Sequence, residues 1–130
     1  MPVRIVRLGS PRKPGEGPRL GTVRRPPRGV AKKDFARLDF YDVWLPELSP
    51  SAELVAFAQA EPGNEKRWAA FERRYRREMA EKTPQHLLEL LALLSRTASF
   101  SVGCYCADEA RCHRSLLGDL LREKGAVFAK

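Results

Sequence analysis

Residues 101–115 hold all three cysteines of the chain, Cys104, Cys106 and Cys112, together with one of its two histidines, His113, and the neighbouring Arg114. Soft, nucleophilic and titratable groups meet here and nowhere else in the sequence. Three chemistries follow from them. The first is anion binding. With Cys104 ending a strand and His113 opening a helix, the free backbone N–H groups of residues 112–115 face the crevice at the strand's C-terminal end. The positive end of the helix dipole stands behind them. His113 and Arg114 add donors and charge, Ser115 adds a hydroxyl, and a guanidinium suits a planar carboxylate or phosphate. The structural alternative is that Asp108 or Glu109 caps this helix and pairs with Arg114.

The second chemistry is that of a reactive thiol. A cysteine at a helix start beside a histidine and an arginine is shifted toward thiolate. Cys112 meets those conditions and is the candidate nucleophile, with Cys106 as a resolving partner. The phosphatase and rhodanese spacing, an arginine six residues after the cysteine, is absent: Cys112 follows Cys106 at that distance and Ala110 follows Cys104. The third is a metal, since thiolates and imidazole suit zinc. Cys-x-Cys is not the usual Cys-x2-Cys knuckle, and adjacent Cys112 and His113 share a tetrahedron awkwardly. The spacing therefore assigns no metal and no cofactor, and His86 reads as surface decoration on a leucine-rich helix.

The elements that must position these groups are legible from periodicity. Val3 to Leu8 alternates as a half-buried strand does, and Leu20 to Val23 is a short second strand candidate. Phe40 to Leu45 is β-prone and reads as a strand or the edge of the core. Ser49-Pro50 is a cap followed by proline, opening a helix to about Gln59 that Pro62-Gly63 breaks. Trp68, Phe71, Tyr75 and Met79 recur at helical spacing with arginines between them, which is a core stripe and a basic solvated face. Thr83-Pro84 repeats the cap signal and opens a third helix to about Arg96. Its leucines between 87 and 94 cover more than one face and predict deep packing. Ser99 to Cys104 is the best strand candidate. The final helix carries Leu116, Leu117, Leu120 and Leu121 and stops at Gly125, and residues 126–128 are a last strand candidate. Val3–Leu8 and Ser99–Cys104 are expected at the centre of the sheet. Strands alternating with helices predict one small α/β domain over residues 1–130, a partly parallel sheet flanked by helices.

A chain of 130 residues can bury one core without disulfide staples. The apolar runs are too short for a membrane span, and the N-terminus lacks the apolar region of a signal peptide. The expectation is a cytoplasmic protein with reduced cysteines and no membrane partner. The formal net charge is +8. Eleven lysines and arginines stand among the first forty residues against three acidic ones. This basic, Pro/Gly-rich N-terminal third is an electrostatic footprint for phosphates or simply an arginine-rich surface.

Three segments carry a resemblance. Arg24-Arg25-Pro26-Pro27-Arg28-Gly29, the stretch Asp42 to Ser51 with its Trp44-Leu45 and Pro50-Ser51, and Trp68, Phe71 and Tyr75 on one helix resemble the YeaO-like group of the uncharacterised family called domain of unknown function 488. Cys112-His113-Arg114 is similar to the wider family's version. Val23 and Pro26 depart from the group, which has an acidic residue and a tryptophan at those places. The resemblance implies a compact cytosolic α/β domain and no established activity. The residues themselves point to a small anionic or phosphate-bearing ligand held by His113, Arg114 and Ser115, with Arg24 and Arg28 approaching from the proline-stiffened turn. The rivals are a nucleic-acid-binding module using the basic third and a thiol enzyme using Cys112.

Overall fold

In a computed structural model, described over residues 2–61, 63–106 and 112–129, four parallel strands form one sheet in the order β1-β4-β2-β3. The strands are β1 (Val3–Arg7), β2 (Arg19–Gly21), β3 (Val43–Trp44) and β4 (Phe100–Cys104). Four α-helices accompany them: α1 (Ala52–Ala60), α2 (Glu65–Met79), α3 (Lys82–Leu94) and α4 (His113–Glu123). The α/β class is as expected, and the described strands are parallel throughout. β4 is central, paired with β1 on one side and β2 on the other. β1, in contrast, is an edge strand; among the described residues, beyond it lies the single bridge of Val3 to Phe128, all that forms of the last strand candidate. Alternation shows that one side of a strand is buried but not what lies beside it, so position in the sheet is not readable from Val3 to Leu8.

The two faces of β4 are covered differently, as the two-residue period of a strand requires. Phe100 and Val102 enter the main core with Val3, Leu88, Leu117 and Leu121 under the helices. Ser101 and Gly103 face the other way. There, segments from the N-terminal third cross the sheet at close range. A Cβ on Gly17 would lie 2.0 Å from the Ser99 carbonyl oxygen, and one on Gly21 2.2 Å from the Tyr41 ring. The second contact makes a prediction. Gly21→Ala forces the ring away from the strand and should lower stability by about 1–3 kcal/mol, the usual cost of overpacking. Urea denaturation checks this, and an unchanged midpoint would show that Tyr41 moves freely.

The anchor of this face is Arg19, which is fully buried. Its Nε donates to Glu16 Oε2 at 2.6 Å and its Nη2 to Glu16 Oε1 at 3.2 Å. The remaining donors serve the carbonyls of Ser10, Asp39 and Pro11. Burial alone would raise the Glu16 carboxyl, but the hydrogen bonds and charge of Arg19 outweigh it and hold the group below its ordinary value. Arg12 is likewise bound to Asp42 and Asp39, and Arg37 to Asp34. Part of the basic N-terminal third thus serves structure.

Three sequence readings on the helices are corrected. The cap of α1 is Ser51, whose hydroxyl accepts from the Leu54 N–H, while Ser49 closes the short 3-10 turn Pro46–Leu48. Helix α3 starts at Lys82, after Glu81, so Thr83 and Pro84 lie inside its first turn rather than before it. Proline is tolerated there because first-turn N–H groups lack intrahelical partners. On α3, Leu88 and Leu91 are buried but Leu90, Leu93 and Leu94 are exposed, because neighbours cover one side only. Trp68 is half-buried, stacked on Phe71, itself a core residue. Pro62, part of the expected break after α1, lies outside the described residues; the helix ends at Ala60.

Candidate ligand and cysteine site

Cys104 is the last residue of β4 and Cys112 the N-cap residue of α4, so the strand–loop–helix reading of this region holds at both ends. Asp108 and Glu109 lie outside the described residues. Cys112 makes no side-chain capping bond. Ser115 instead turns its hydroxyl back to the Cys112 carbonyl at 2.9 Å.

His113 is buried, with its ring edge-on to Tyr75 at 5.7 Å between centroids. Its Nε2 lies 2.6 Å from the carbonyl oxygen of Thr22. A carbonyl only accepts, so Nε2 carries the proton and the neutral ring keeps its lone pair on Nδ1. Burial pushes the imidazole down to about 4; the Thr22 bond opposes this and the charge of Arg114 adds to it. The ring is therefore neutral at pH 7 and offers a lone pair rather than a positive charge. Nδ1 faces Cys112 Sγ at 3.8 Å. The Thr22 carbonyl is held by its own residue: the Thr22 N–H and Oγ1 both donate to the Gly103 carbonyl, at 3.1 and 2.9 Å.

Arg114 is 4% exposed, and its Nε and Nη1 have no hydrogen-bond partner among the described residues. Buried guanidinium donors without acceptors are costly, because they have given up water and gained nothing in return. Arg24 is bound to backbone carbonyls. Its Nε and Nη2 donate to the carbonyls of Pro50 and Ser49, at 3.0 and 3.4 Å, which ties the Arg-Pro-Pro turn to the start of α1. Arg28 is exposed. The turn also reaches the cysteine strand, since the Tyr105 hydroxyl donates to the Arg25 carbonyl at 2.9 Å.

The three sulfurs converge. Cys104 and Cys112 are buried with their Sγ atoms in contact, Cys106 is exposed, and all three Sγ atoms lie within 4.8 Å of one another. Cys104 and Cys112 belong to a small apolar cluster with Leu8, Val23 and Tyr41. Cys112 is buried and stands at the helix start.

A model for the family described as the active DUF488-N3 subclade matches residues 3–125. The chain belongs to the DUF488 family. No curated protein and no solved structure matches it. The match runs from β1 past the end of α4 and so takes in the whole strand–helix constellation of this DUF488 domain.

Sequence reasoning missed Tyr41. Its hydroxyl is buried without a partner among the described residues, and burial raises its pKa. It lines a cavity of about 370 Å3 with Phe35, Trp44, Pro26, Lys32 and Lys33. Trp44 donates from Nε1 to the Val23 carbonyl at 2.7 Å. The only signal was an aromatic, β-prone run near basic residues, which an ordinary core also shows. No helix among the described residues is long and apolar enough to cross a membrane.

Proposed function

We propose that this DUF488 domain binds a small anionic, phosphate-bearing ligand at the start of α4, with Arg114 as the principal anchor. The observation that carries the reading is the buried guanidinium whose Nε and Nη1 lack partners among the described residues. Both are donors of a permanently charged group, and the oxygens of a phosphate or carboxylate are the acceptors such a group takes. Arg114 lies in the first turn of α4, where backbone N–H groups and the helix dipole favour negative charge. The site is also at the C-terminal end of the central strand, where open α/β sheets bind ligands. His113, neutral and bonded to Thr22, positions rather than charges the site. Ser115 and Arg24 are engaged elsewhere, and Arg28 stands exposed on the turn, where a larger ligand would meet it.

The test is thermal unfolding in inorganic phosphate and in sulfate, at ionic strength matched with sodium chloride. Both anions stabilise folds generally by exclusion from the surface, so the diagnostic is the difference between wild type and Arg114→Met. Specific binding should add about 2.7 kcal/mol to the wild type at a hundredfold excess over Kd, and nothing to the variant. Equal responses in the two proteins would reject the site. The nucleic-acid reading gains less support, because Arg12, Arg19 and Arg37 are already paired with carboxylates. Duplex DNA binding that falls steeply with salt and survives Arg114→Met would favour it instead.

A further inference from the structure

We propose that Cys104, Cys106 and Cys112 form a thiolate site for a soft divalent cation of the zinc class, with Nδ1 of His113, which borders the sulfur cluster at Cys112, as its fourth ligand. The inference is independent of the anion reading and uses different atoms.

The three thiols come from two elements that the fold anchors separately. Cys104 ends β4, held in register between β1 and β2. Cys106 follows two residues later, past a bend at Tyr105. Cys112 comes from the first residue of another element, the N-cap of α4. Their Sγ atoms nevertheless lie within 4.8 Å of one another. Thiolates around a tetrahedral zinc, with bonds of about 2.3 Å, stand roughly 3.8 Å apart. The Cys104 and Cys112 sulfurs, which touch, must part to that spacing for the three to enclose an ion. A disulfide between Cys104 and Cys112 is the rival use of the same sulfurs. Their Cα atoms are 7.9 Å apart. Disulfides hold Cα atoms at about 4.4–6.8 Å, so the strand end and the helix start stand wider apart than such a bond usually sets them.

His113 supplies what a fourth ligand needs. Its Nδ1 lies 3.8 Å from Cys112 Sγ, close to the separation of neighbouring nitrogen and sulfur ligands on one zinc, roughly 3.6 Å. A ligating histidine almost always donates its other N–H to a carbonyl or carboxylate, which fixes the tautomer and turns the lone pair inward. The Thr22 carbonyl fills that role at 2.6 Å and is itself oriented by two bonds from Thr22 to Gly103. Adjacent Cys112 and His113 can share the site because Cys112 has extended backbone, at φ −129° and ψ 147°, while His113 is already helical. Successive side chains therefore leave the chain from different local geometries. With His113 as the fourth ligand the ion's role is structural: it ties the C-terminal end of the central strand to the start of α4.

The experiment uses the full chain, expressed with zinc supplied and purified under reducing conditions without chelator. Metal and protein are quantified on the same sample. One equivalent of zinc is expected, and each of Cys104→Ser, Cys106→Ser and Cys112→Ser should lose it. A cysteine variant that fails to fold is replaced by a second measurement on the wild type. Metal-stripped, reduced protein is titrated with Co2+, which should give thiolate-to-cobalt charge transfer and the strong visible bands of a tetrahedral ion. His113→Asn should alter those bands while keeping the charge transfer. A folded protein with three free thiols that takes up neither Zn2+ nor Co2+ overturns the proposal. So does a Cys104–Cys112 disulfide that mass spectrometry finds in the protein as purified.

Discussion

Arg19→Met should destabilise the domain by about 3–5 kcal/mol at pH 7, the largest loss expected of any single substitution considered for this chain. The reason is asymmetric. Removing Arg19 does not merely delete an ion pair; it leaves Glu16, itself only 2% exposed, as a buried carboxylate without a charged partner, facing the Lys13 N–H at 3.4 Å and the Ser101 hydroxyl. It also frees the carbonyls of Ser10, Pro11 and Asp39, which Arg19 gathers over the sheet. The pH dependence follows from the Glu16 carboxyl. In the wild type its pKa is lowered when folded, so its contribution is fully present above the ordinary value of 4.5 and is lost as pH falls through the lower folded value. In Arg19→Met the effect of burial dominates, which raises the carboxyl and favours protonation. The gap between the two proteins should therefore be widest at neutral pH and narrow as pH falls toward and below 4.5. Urea denaturation at several pH values measures it. A gap that stays constant would mean that the loss is one of packing rather than of charge.

Arg114→Met should act in the opposite direction: a more stable domain without ligand and no response to phosphate. An unpartnered buried donor costs about 1–3 kcal/mol, and a charged one more. Methionine has comparable reach, adapts its shape and asks for no partner, so it relieves that cost while filling the space. Replacing a buried charge by an apolar side chain is often stabilising for this reason. The expected result is a higher unfolding midpoint for Arg114→Met in chloride, with the order of the two proteins reversing as phosphate is added. If the variant is instead less stable in the absence of any binding anion, the guanidinium is already satisfied within the fold and the ligand reading fails. The metal content of both proteins should be equal, since Arg114 is not among the four proposed ligands.

The short-range features are legible in the amino-acid sequence alone. A strand ending at Cys104 and a helix opening at His113 follow from local pattern, as does the core stripe of Phe71, Tyr75 and Met79 on α2. These depend on period and on which residues start helices, and both are properties of a few consecutive residues. Caps are less secure. Ser49, Ser51 and Thr83 are all chemically able to cap, and the choice of Ser51 is helped by Glu78 of α2, which accepts from both its N–H and its hydroxyl. That partner is 27 residues away in sequence.

What only the tertiary structure decided concerns pairs of residues far apart in the chain. Composition shows a basic N-terminal third, but not that Arg19 is a buried hub while Arg28 stays exposed. The leucines of α3 predict burial on more than one face, yet a helix laid against one side of the core buries only one side. The cysteine spacing argues against a shared site because it is not a known knuckle. The convergence of the three sulfurs depends on where α4 starts relative to the end of β4, which the sheet register and the packing of α4 set. Hydrophobic period dictates which face of each element is buried. The identity of the neighbour across that face is a matter of long-range packing, and so is whether a polar group finds a partner. The buried guanidinium of Arg114 and the fixed tautomer of His113 belong to that second kind.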